Sequence, residues 1–362
     1  MLLWPEGSLI IFSALLAGSR RGCRRQREGV MRFGKLKGNE TYFKQIFWFL
    51  LILADIVLMG ILFLGFFTHK DYSANQRENA RLIGVSYMTM NNEFYKIMSE
   101  EISARIAAEG DRMMLRDPAL DAGRQKEQIQ EMLDQGIDLL VITPVEWESL
   151  ASVLEEAKAQ GVRIVVLDTN VYEEDLADCT ITSDNYEAGR IVGEYFLQKC
   201  KKARLILMTH ETAKSGQDRV RGFLDAVASQ EGIHIVQRIE CEGQLEIAMP
   251  RLQEAIDQGA EFDHVFCLND LASVGVVAAL EKNHLLEGVG VYGVDASPDA
   301  KALIKEGMMA ASAAQFPSEI GSKAADVIYR LLAGEEVEKN ILVPVELITE
   351  ENVDAFGIDR WQ

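Results

Sequence analysis

The sequence contains few of the residue patterns that build metal sites or covalent catalytic sites. Its five cysteines form no CxxC pair and its five histidines form no HxxxH pair, so ligand spacings typical of zinc sites are missing. No nucleophile motif accompanies its carboxylates, so the pattern of a covalent hydrolase is missing as well. We therefore predict a protein that is not an enzyme and that binds neither a metal nor a cofactor.

A nucleotide-binding motif is also lacking, despite one superficial match. The segment Gly288–Gly293 has the pattern GxGxxG, but the dinucleotide fingerprint follows a strand and begins a helix. In this chain the glycines lead into, and lie within, the apolar segment VGVYGV, which is typical of a strand. The motif therefore does not indicate a nucleotide cofactor.

Positive charge is scarce beyond residue 70. That part of the chain carries 27 Lys and Arg against 52 Asp and Glu, a net charge of −25, whereas residues 1–70 carry ten basic and four acidic residues. An acidic surface repels nucleic acid and anionic lipid. We therefore predict no nucleic-acid partner.

One long apolar run is present, from Ile46 to Phe67. As a helix it would measure about 33 Å, enough for a hydrocarbon core of about 30 Å. Basic residues precede it and few follow it, which predicts a cytoplasmic N-terminus and an extracytoplasmic body in the cell membrane. We predict an uncleaved signal anchor; a cleaved signal peptide would have a shorter apolar core followed by small residues. Asp55 lies within the run, and such a carboxylate often marks an intramembrane partner.

The segments around this run complete the predicted N-terminal organisation. We expect a basic cytoplasmic segment at 1–45, the membrane span at 46–67 and a linker at 68–79. Met31 begins a sequence typical of a translation start. Residues 1–30 are therefore either part of the protein or an upstream extension of the reading frame.

Beyond residue 80, short apolar segments rich in Val and Ile alternate with longer amphipathic segments. Such alternation predicts the α/β class, with buried parallel strands covered by helices. The alternation forms one series to about residue 183 and a second to about residue 315. We predict two doubly wound parallel-sheet lobes joined by crossing segments, with a cleft between them, preceded by the transmembrane helix.

Four of the predicted strands run into a polar residue that can bind a hydroxyl group. These residues are Asp168 after RIVVL, Asn269 after HVFCL, Asp295 after VGVYGV and Gln315 after MAASAA. Open α/β sheets bind ligands at the carboxyl ends of their strands, and carboxylates and amides suit hydroxyl groups. Asp168 and Asp295 could alternatively be paired catalytic carboxylates, but a binding role needs no further residues. We interpret Asp184 and Asp299 as helix N-caps.

Other candidate ligand residues lie near the same strand ends. Arg219 is expected to open a helix after the strand LILM, and Asn92 follows the first strand. Phe94 fits the apolar stripe of the helix that begins nearby, whereas Tyr95 falls off that stripe. The stripe alone would make Phe94 a core residue, and it predicts no core position for Tyr95.

Several motifs, taken together in order and spacing, resemble those of the ribose-type periplasmic sugar-binding proteins, which have the type I Venus-flytrap fold. The motifs are Met90–Tyr95, Val166–Asp168, Ile181–Asn185, Ser215–Phe223, Val265–Asp270, Gly293–Asp295 with Pro298 and Asp299, and Ala314–Pro317 with Ile320 and Gly321. The resemblance covers Arg81 to about Pro344. It implies two lobes that are joined by a three-segment hinge and close on a monosaccharide. The first lobe would comprise 80–183 plus about 316–344, and the second 184–315 plus about 345–362.

The resemblance also implies roles for individual residues. Hydroxyl groups would be held by Asn92, Asp168, Arg219, Asn269, Asp295 and Gln315, and the sugar ring would stack on Phe94 and Tyr95. Thr169 joins this predicted set, although it stands where an arginine is common. Met88 stands where a small polar residue is common, and the region of Gly243 and Gln244 lacks a capping aromatic residue. These differences leave the identity of the sugar open.

The sequence supports several functions unequally. The main hypothesis is a membrane-anchored extracytoplasmic protein that binds a monosaccharide by hinge closure and delivers it to a sugar ABC transporter. The alternative is a sugar sensor that signals through a membrane histidine kinase. A LacI-type repressor would need a helix-turn-helix where this chain has an apolar run, and a glycan hydrolase lacks support from any nucleophile motif.

Overall fold

A computed structural model describes residues 39–69 and 80–362. The chain forms two compact units, Met1–Tyr72 and Ser73–Gln362. In the first unit the described residues form the helix α1, Asn39–His69. The predicted cytoplasmic segment before residue 39, the start at Met31 and linker residues 70–79 lie outside the described residues.

The predicted membrane span was tested on the described helices. Among residues 39–69 and 80–362, none of the helices meets the length and hydropathy needed to cross a membrane. The transmembrane helix predicted at 46–67 is therefore not confirmed.

The second unit consists of alternating strands and helices. The strands are β1 Leu82–Ser86, β2 Arg112–Arg116, β3 Leu139–Ile142, β4 Arg163–Leu167, β5 Cys179–Ser183, β6 Ala203–Thr209, β7 Ile233–Glu240, β8 His264–Cys267, β9 Gly290–Asp295, β10 Ala311–Ala314, β11 Asn340–Val343 and β12 Glu346–Thr349. The helices are α2 Glu93–Glu109, α3 Ala122–Asp134, α4 Ala151–Ala159, α5 Asn185–Lys199, α6 Lys214–Val227, α7 Leu245–Asp257, α8 Asp270–Lys282, α9 Pro298–Lys305, α10 Pro317–Leu332 and α11 Val353–Phe356.

The strands form two six-stranded sheets, and each sheet is the centre of one lobe. The first sheet has the order β11-β5-β4-β3-β1-β2, and all its pairings are parallel. The second has the order β12-β10-β9-β8-β6-β7. Central strands such as β3 are buried along their whole length, as expected for a sheet covered by helices on both faces. The predicted α/β fold with two parallel-sheet lobes is confirmed.

One strand departs from the predicted parallel arrangement, because β12 pairs antiparallel with β10. The strand β11 ends in the first lobe at the carboxyl edge of its sheet, and the chain then enters the second lobe after only two residues. A connection this short enters the second sheet at the edge where the parallel strands end. The new strand must therefore run in the opposite direction, since a parallel pairing would need a longer crossover.

The chain passes between the lobes three times. The crossings follow β5, β10 and β11, and each leaves one sheet at its carboxyl edge. After β5 the chain forms α5, which packs on α6 of the second lobe; after β10 it forms α10, which packs on α2 of the first lobe. The carboxyl edges of both sheets therefore face the same cleft.

Two helix starts differ from the sequence prediction. Helix α6 begins at Lys214, so Arg219 lies within the helix rather than opening it. Asp184 caps α5 as predicted and accepts a hydrogen bond from the Glu187 amide, but α9 is capped by Ser297 instead of Asp299. A serine directly before a proline at the first helical position is a favourable start, which places Asp299 inside the first turn.

Helices α5 and α6 approach each other through glycines. A Cβ atom on Gly189 would lie 1.8 Å from the backbone oxygen of Arg219, and one on Gly222 would lie 2.0 Å from that of Tyr186. Any side chain at these positions would force the helices apart, which costs stability in a packed interior. This close contact fixes the position from which Arg219 reaches the cleft.

Candidate functional site

The cleft between the two lobes contains most of the predicted ligand residues. It holds about 480 Å³ of space not filled by atoms, including the part open to solvent. The predicted residues that line it are Asn92, Phe94, Tyr95, Asp168, Arg219, Asn269, Asp295 and Gln315. Thr169 is fully buried and is not part of the lining.

The first lobe contributes the carboxylate of Asp168, which directly follows β4. This residue is 5% exposed, and its Oδ2 accepts a hydrogen bond of 3.1 Å from the Tyr95 hydroxyl. Its φ of 67° lies in the left-handed region, which is unfavourable for a residue with a side chain and is common at ligand-binding sites. Burial raises the pKa of Asp168, although Arg219 and the Tyr95 hydrogen bond oppose this rise.

The second lobe contributes Asp295 at the end of β9. Its Oδ1 accepts a hydrogen bond of 2.6 Å from Nε2 of Gln315, and its Oδ2 accepts one of 3.3 Å from the Asp270 amide. Like Asp168, it has an unfavourable positive φ, of 127°. Burial raises the pKa of Asp295 to about 6, against the lowering effects of Arg219 and Gln315.

Arg219 provides positive charge at the cleft. Its guanidinium lies 3.5 Å from Oδ1 of Asp295, and it also lowers the pKa of Asp168 electrostatically. Its Nε donates to Oδ1 of Asn185 at 2.8 Å, and one terminal nitrogen donates to the backbone oxygen of Leu268 at 3.1 Å. These bonds hold the guanidinium rigidly, so it can present its remaining donors to a ligand without further ordering.

The two asparagines of the site also cap helices. Asn92 accepts the Phe94 amide at the start of α2, and Asn269 accepts the Ala272 amide at the start of α8. The amide nitrogen of Asn269 donates to the backbone oxygen of Gly243 at 2.9 Å. The protein therefore engages the side-chain oxygen of both residues. The NH₂ group of Asn92 remains for a ligand, whereas Asn269 has one N–H left to donate.

Both aromatic residues of the predicted site, Phe94 and Tyr95, are buried in the first lobe. Tyr95 is 6% exposed and stacks on Tyr87 with ring centroids 5.6 Å apart, so the expectation that it lies off the core was wrong. The spacing pattern missed this because Asp168 binds the Tyr95 hydroxyl and so makes burial favourable. Phe94 is 3% exposed and lies between the Tyr95 ring and the ring of Trp361, at 5.7 Å from each.

Thr169 bonds to the opposite lobe and does not line the cleft as predicted. Its hydroxyl oxygen accepts a hydrogen bond of 2.9 Å from the backbone amide of Ser215 in the second lobe. A second bond between the lobes joins the Trp147 amide to the backbone oxygen of Thr212 at 3.0 Å. The lobes are therefore in contact beside the cleft, and Thr169 contributes to that contact rather than to the cleft lining.

Further lining residues were not predicted as ligand residues. They are Met88, Thr89, Leu120, His210, Ala213, Ser215, Glu242, Gly243, Gln244 and Leu268. Three of them lie within three residues of a strand end: Thr89 after β1, His210 after β6, and Glu242 after β7. Applying the strand-end rule to every strand would have found these three. Burial lowers the pKa of His210, which favours its neutral form.

The cleft offers several kinds of group that can bind a polar ligand. It combines carboxylates, amides, a guanidinium and an aromatic ring. Within residues 39–69 and 80–362, no cluster of three or more His, Cys, Asp or Glu side chains could hold a metal ion. Together with the two hinged lobes, these groups define the class of two-lobed α/β solute-binding proteins.

Comparison with known proteins agrees with this class. Residues 83–336 match the family described as "Periplasmic binding protein domain". The ribose import binding protein of Bacillus subtilis is 24% identical over 279 residues, which cover 77% of this chain and 90% of that protein. An ABC transporter solute binding protein from Mycobacterium smegmatis, solved with glycerol, has a TM-score of 0.73 and is 26% identical; the match covers 78% of this chain and 99% of the other.

A further solved structure supports the fold. It is an ABC transporter solute binding protein from Bacillus halodurans with bound myo-inositol, with a TM-score of 0.72 and 23% identity over 77% of this chain and 98% of the other. This chain belongs to the periplasmic binding protein domain family, and it is related to the ribose-type members. The relatives are solute-binding proteins and not enzymes, so the prediction of a non-enzymatic binding protein is confirmed.

Proposed function

We propose that this protein binds one neutral monosaccharide, or a polyol of similar size, in the cleft between its lobes. The observation that carries the proposal is the placement of Asp168 and Asp295. One carboxylate comes from each lobe, both are 5% exposed, and both line the same cleft. A ligand with several hydroxyl groups can donate to both carboxylates at once and thereby join the lobes.

Unused hydrogen-bonding capacity in the cleft supports a hydroxyl-rich ligand. The Oε1 atom of Gln315 is buried and has no hydrogen-bond partner among the described residues. Asp168 accepts one described side-chain hydrogen bond, whereas an ionised carboxylate can accept about four. Buried acceptors without donors are costly, and the hydroxyl groups of a bound polyol would supply the missing donors.

The charges at the cleft favour a neutral ligand over an anionic one. Asp168, Asp295 and Glu242 line it, against the single guanidinium of Arg219. That guanidinium is already paired with Asp295. A carboxylate or phosphate on the ligand would meet more negative than positive charge, and such repulsion disfavours binding.

Hinge closure would accompany binding. The two hydrogen bonds between the lobes, from Ser215 to Thr169 and from Trp147 to Thr212, can form only when the lobes are in contact. Bonds of this kind contribute about 1 kcal/mol each, so they stabilise the closed form only modestly. A ligand that binds both lobes would add to this and shift the equilibrium towards the closed form.

The partner and location form the second part of the proposal. Names of the relatives refer to ribose import and to ABC transporters, which supports delivery of the ligand to a sugar ABC permease from the extracytoplasmic side. Anchoring by residues 46–67 and the alternative partner, a sensor histidine kinase, remain predictions from the sequence. Crosslinking of the full chain in native membranes, with identification of the attached peptides, distinguishes a permease from a kinase.

Titration calorimetry with the full chain tests ligand binding. The panel is D-ribose, D-allose, myo-inositol and xylitol, with D-glucuronate as the anionic comparison. At least one neutral compound should bind with one-to-one stoichiometry, and D-glucuronate should bind more weakly. Asp168→Ala and Asp295→Ala should each weaken binding about a hundredfold, because charge-assisted hydrogen bonds are lost.

Asp299→Ala is the matched control, since Asp299 is exposed in the first turn of α9 and away from the cleft lining. It should leave the affinity unchanged. If both cleft variants bind every neutral compound as tightly as the parent does, the proposed site is wrong.

A further inference from the structure

The last residues of the sequence lie against the ligand cleft. The side-chain amide of Gln362 donates to the backbone oxygen of Asp295 at 2.9 Å and to that of Gln315 at 2.8 Å. These are the strand-end residues whose side chains are bonded to each other within the cleft. The side-chain amide of Gln362 therefore binds the backbone carbonyl groups of both residues, while their side chains face the cleft.

A buried lysine holds this segment in place. Lys301 in α9 is 0% exposed, and its ammonium donates to the backbone oxygen of Arg360 at 2.6 Å and to Oε1 of Gln362 at 3.0 Å. Burial lowers the pKa of Lys301. Burying an ammonium group is costly unless it is hydrogen-bonded, so the tail residues satisfy a group that would otherwise destabilise α9.

The same segment reaches the first lobe. The ring of Trp361 packs edge-on against Phe94, with centroids 5.7 Å apart, and it contacts the hydrophobic core of that lobe. Gln362 and Arg360 meanwhile bond to the second lobe. Residues 360–362 therefore contact Phe94 of the first lobe as well as Asp295 and Gln315 of the second lobe.

The backbone of Asp295 shows why such support matters. Its φ of 127° is unfavourable, and strained residues persist only when surrounding contacts hold them. The Asp295 carbonyl accepts from the Gln315 amide and from Gln362. Loss of the second bond would let the strand end relax and would turn the carboxylate away from its position.

We propose that Arg360–Gln362, called the tail segment, is a positioning element of the ligand site. Gln362 holds Asp295 and Gln315 in their binding geometry, Trp361 holds Phe94, and Lys301 anchors the segment. The proposal deepens the proposed function and rests on it for the nature of the ligand. The contacts that carry it are independent of which polyol binds.

Gln362→Met in the full chain tests the proposal, because methionine has a similar length and no donor. Polyol affinity should fall about tenfold, equivalent to one or two lost hydrogen bonds. The midpoint of thermal unfolding without ligand should also fall modestly, because the Lys301 ammonium loses one of its two acceptors and keeps the Arg360 carbonyl. Gln258→Met is the matched control, since Gln258 is exposed at the end of α7, and it should change neither quantity.

Trp361→Ala tests the contact with the first lobe. It should weaken binding to a similar degree, and Trp361→Phe should restore most of the affinity because an aromatic ring remains against Phe94. If Gln362→Met and Trp361→Ala bind polyol like the parent, or lower only the unfolding temperature, the tail segment has a structural role alone and the proposal is wrong.

Hydrogen exchange separates this proposal from the proposed function. The amide of Gln315, which donates to Asp295, should exchange faster in Gln362→Met than in the parent or in Gln258→Met. This measurement needs no ligand. If the parent binds no compound of the panel, the proposed function fails, and unchanged exchange at Gln315 would still overturn the positioning role independently.

Discussion

The protonation state of Asp295 should control ligand affinity. Its carboxyl group is buried between Arg219, Gln315 and the Asp270 amide, and burial raises its pKa to about 6. The negative charge of Asp168, on the other side of the cleft, contributes to this rise. Only the ionised form accepts charge-assisted hydrogen bonds from ligand hydroxyls, so a bound polyol should lower the pKa of Asp295.

The size of the effect follows from linkage. If binding moves the pKa from about 6 to near its ordinary value, each bound ligand releases a proton over that range. Affinity should then be about tenfold lower at pH 5 than at pH 7, since one pKa unit corresponds to about 1.4 kcal/mol. The affinity should level off above pH 7, where Asp295 is already ionised.

Titration calorimetry at pH 5, 6 and 7 provides the measurement. Near pH 6 it should be repeated in two buffers with different enthalpies of ionisation, because proton release makes the observed binding enthalpy depend on the buffer. Asp295→Asn should bind more weakly at pH 7 and lose most of the dependence on pH. Asp299→Asn, at an exposed aspartate, should keep the parent's pH profile. Equal affinities of the parent at pH 5 and pH 7 would refute this reasoning.

Three further predictions concern stability and closure. Because the folded pKa of Asp295 exceeds its ordinary value of 3.8, ionisation of this group should lower the unfolding free energy of the ligand-free protein by about 2 kcal/mol as the pH rises from 4 to 7. Asp295→Asn should remove this loss in urea unfolding. Gly189→Ala should lower the unfolding free energy by about 3 kcal/mol and weaken binding, since its Cβ would lie 1.8 Å from the backbone oxygen of Arg219; urea unfolding and calorimetry measure both. Thr169→Val should weaken polyol binding about fivefold by calorimetry, because the Ser215 amide loses its acceptor in the closed form.

Each of these predictions has a control. Gly288→Ala should be nearly neutral, because no atom lies within 4 Å of a Cβ built there. Thr169→Ser keeps the hydroxyl and should bind nearly as tightly as the parent. The stability argument fails if Asp295→Asn and the parent respond to pH identically. The packing and closure arguments fail if Gly189→Ala unfolds like Gly288→Ala, or if Thr169→Val and Thr169→Ser bind equally well.

The alternation of apolar and amphipathic segments was sufficient to predict the two parallel-sheet lobes, because buried parallel strands need a distinctive composition. The positions of Asp168, Asn269, Asp295 and Gln315 at strand ends followed from the same pattern. Where a strand ends is a local property of the sequence, and all parallel strands of a sheet end at one edge. This is why Asn269, Asp295 and Gln315 could be placed at one edge of the second sheet, whereas bringing Asp168 to them also requires the carboxyl edge of the first sheet to face the same cleft.

Other features depended on contacts between distant residues. Periodicity placed Tyr95 off the core, but a hydrogen bond to Asp168, 73 residues away, makes its burial favourable. Resemblance placed Thr169 among the ligand residues, whereas its hydroxyl bonds to the opposite lobe. The antiparallel direction of β12 followed from the edge at which the chain re-enters the second lobe, which no local pattern specifies.

By itself, then, the sequence determined which segments are strands, which helices cover them, and which polar groups reach the carboxyl edges, because hydrophobic burial and strand composition are encoded locally. Only the tertiary structure decided which polar groups remain available to a ligand. Asn92 and Asn269 are partly used as helix caps, Arg219 is held by Asn185, and Gln362 reaches Asp295 across 67 residues. A hydrogen bond between residues far apart in the chain depends on how the lobes and the tail segment pack, and that packing carries no signal in the spacing of residues.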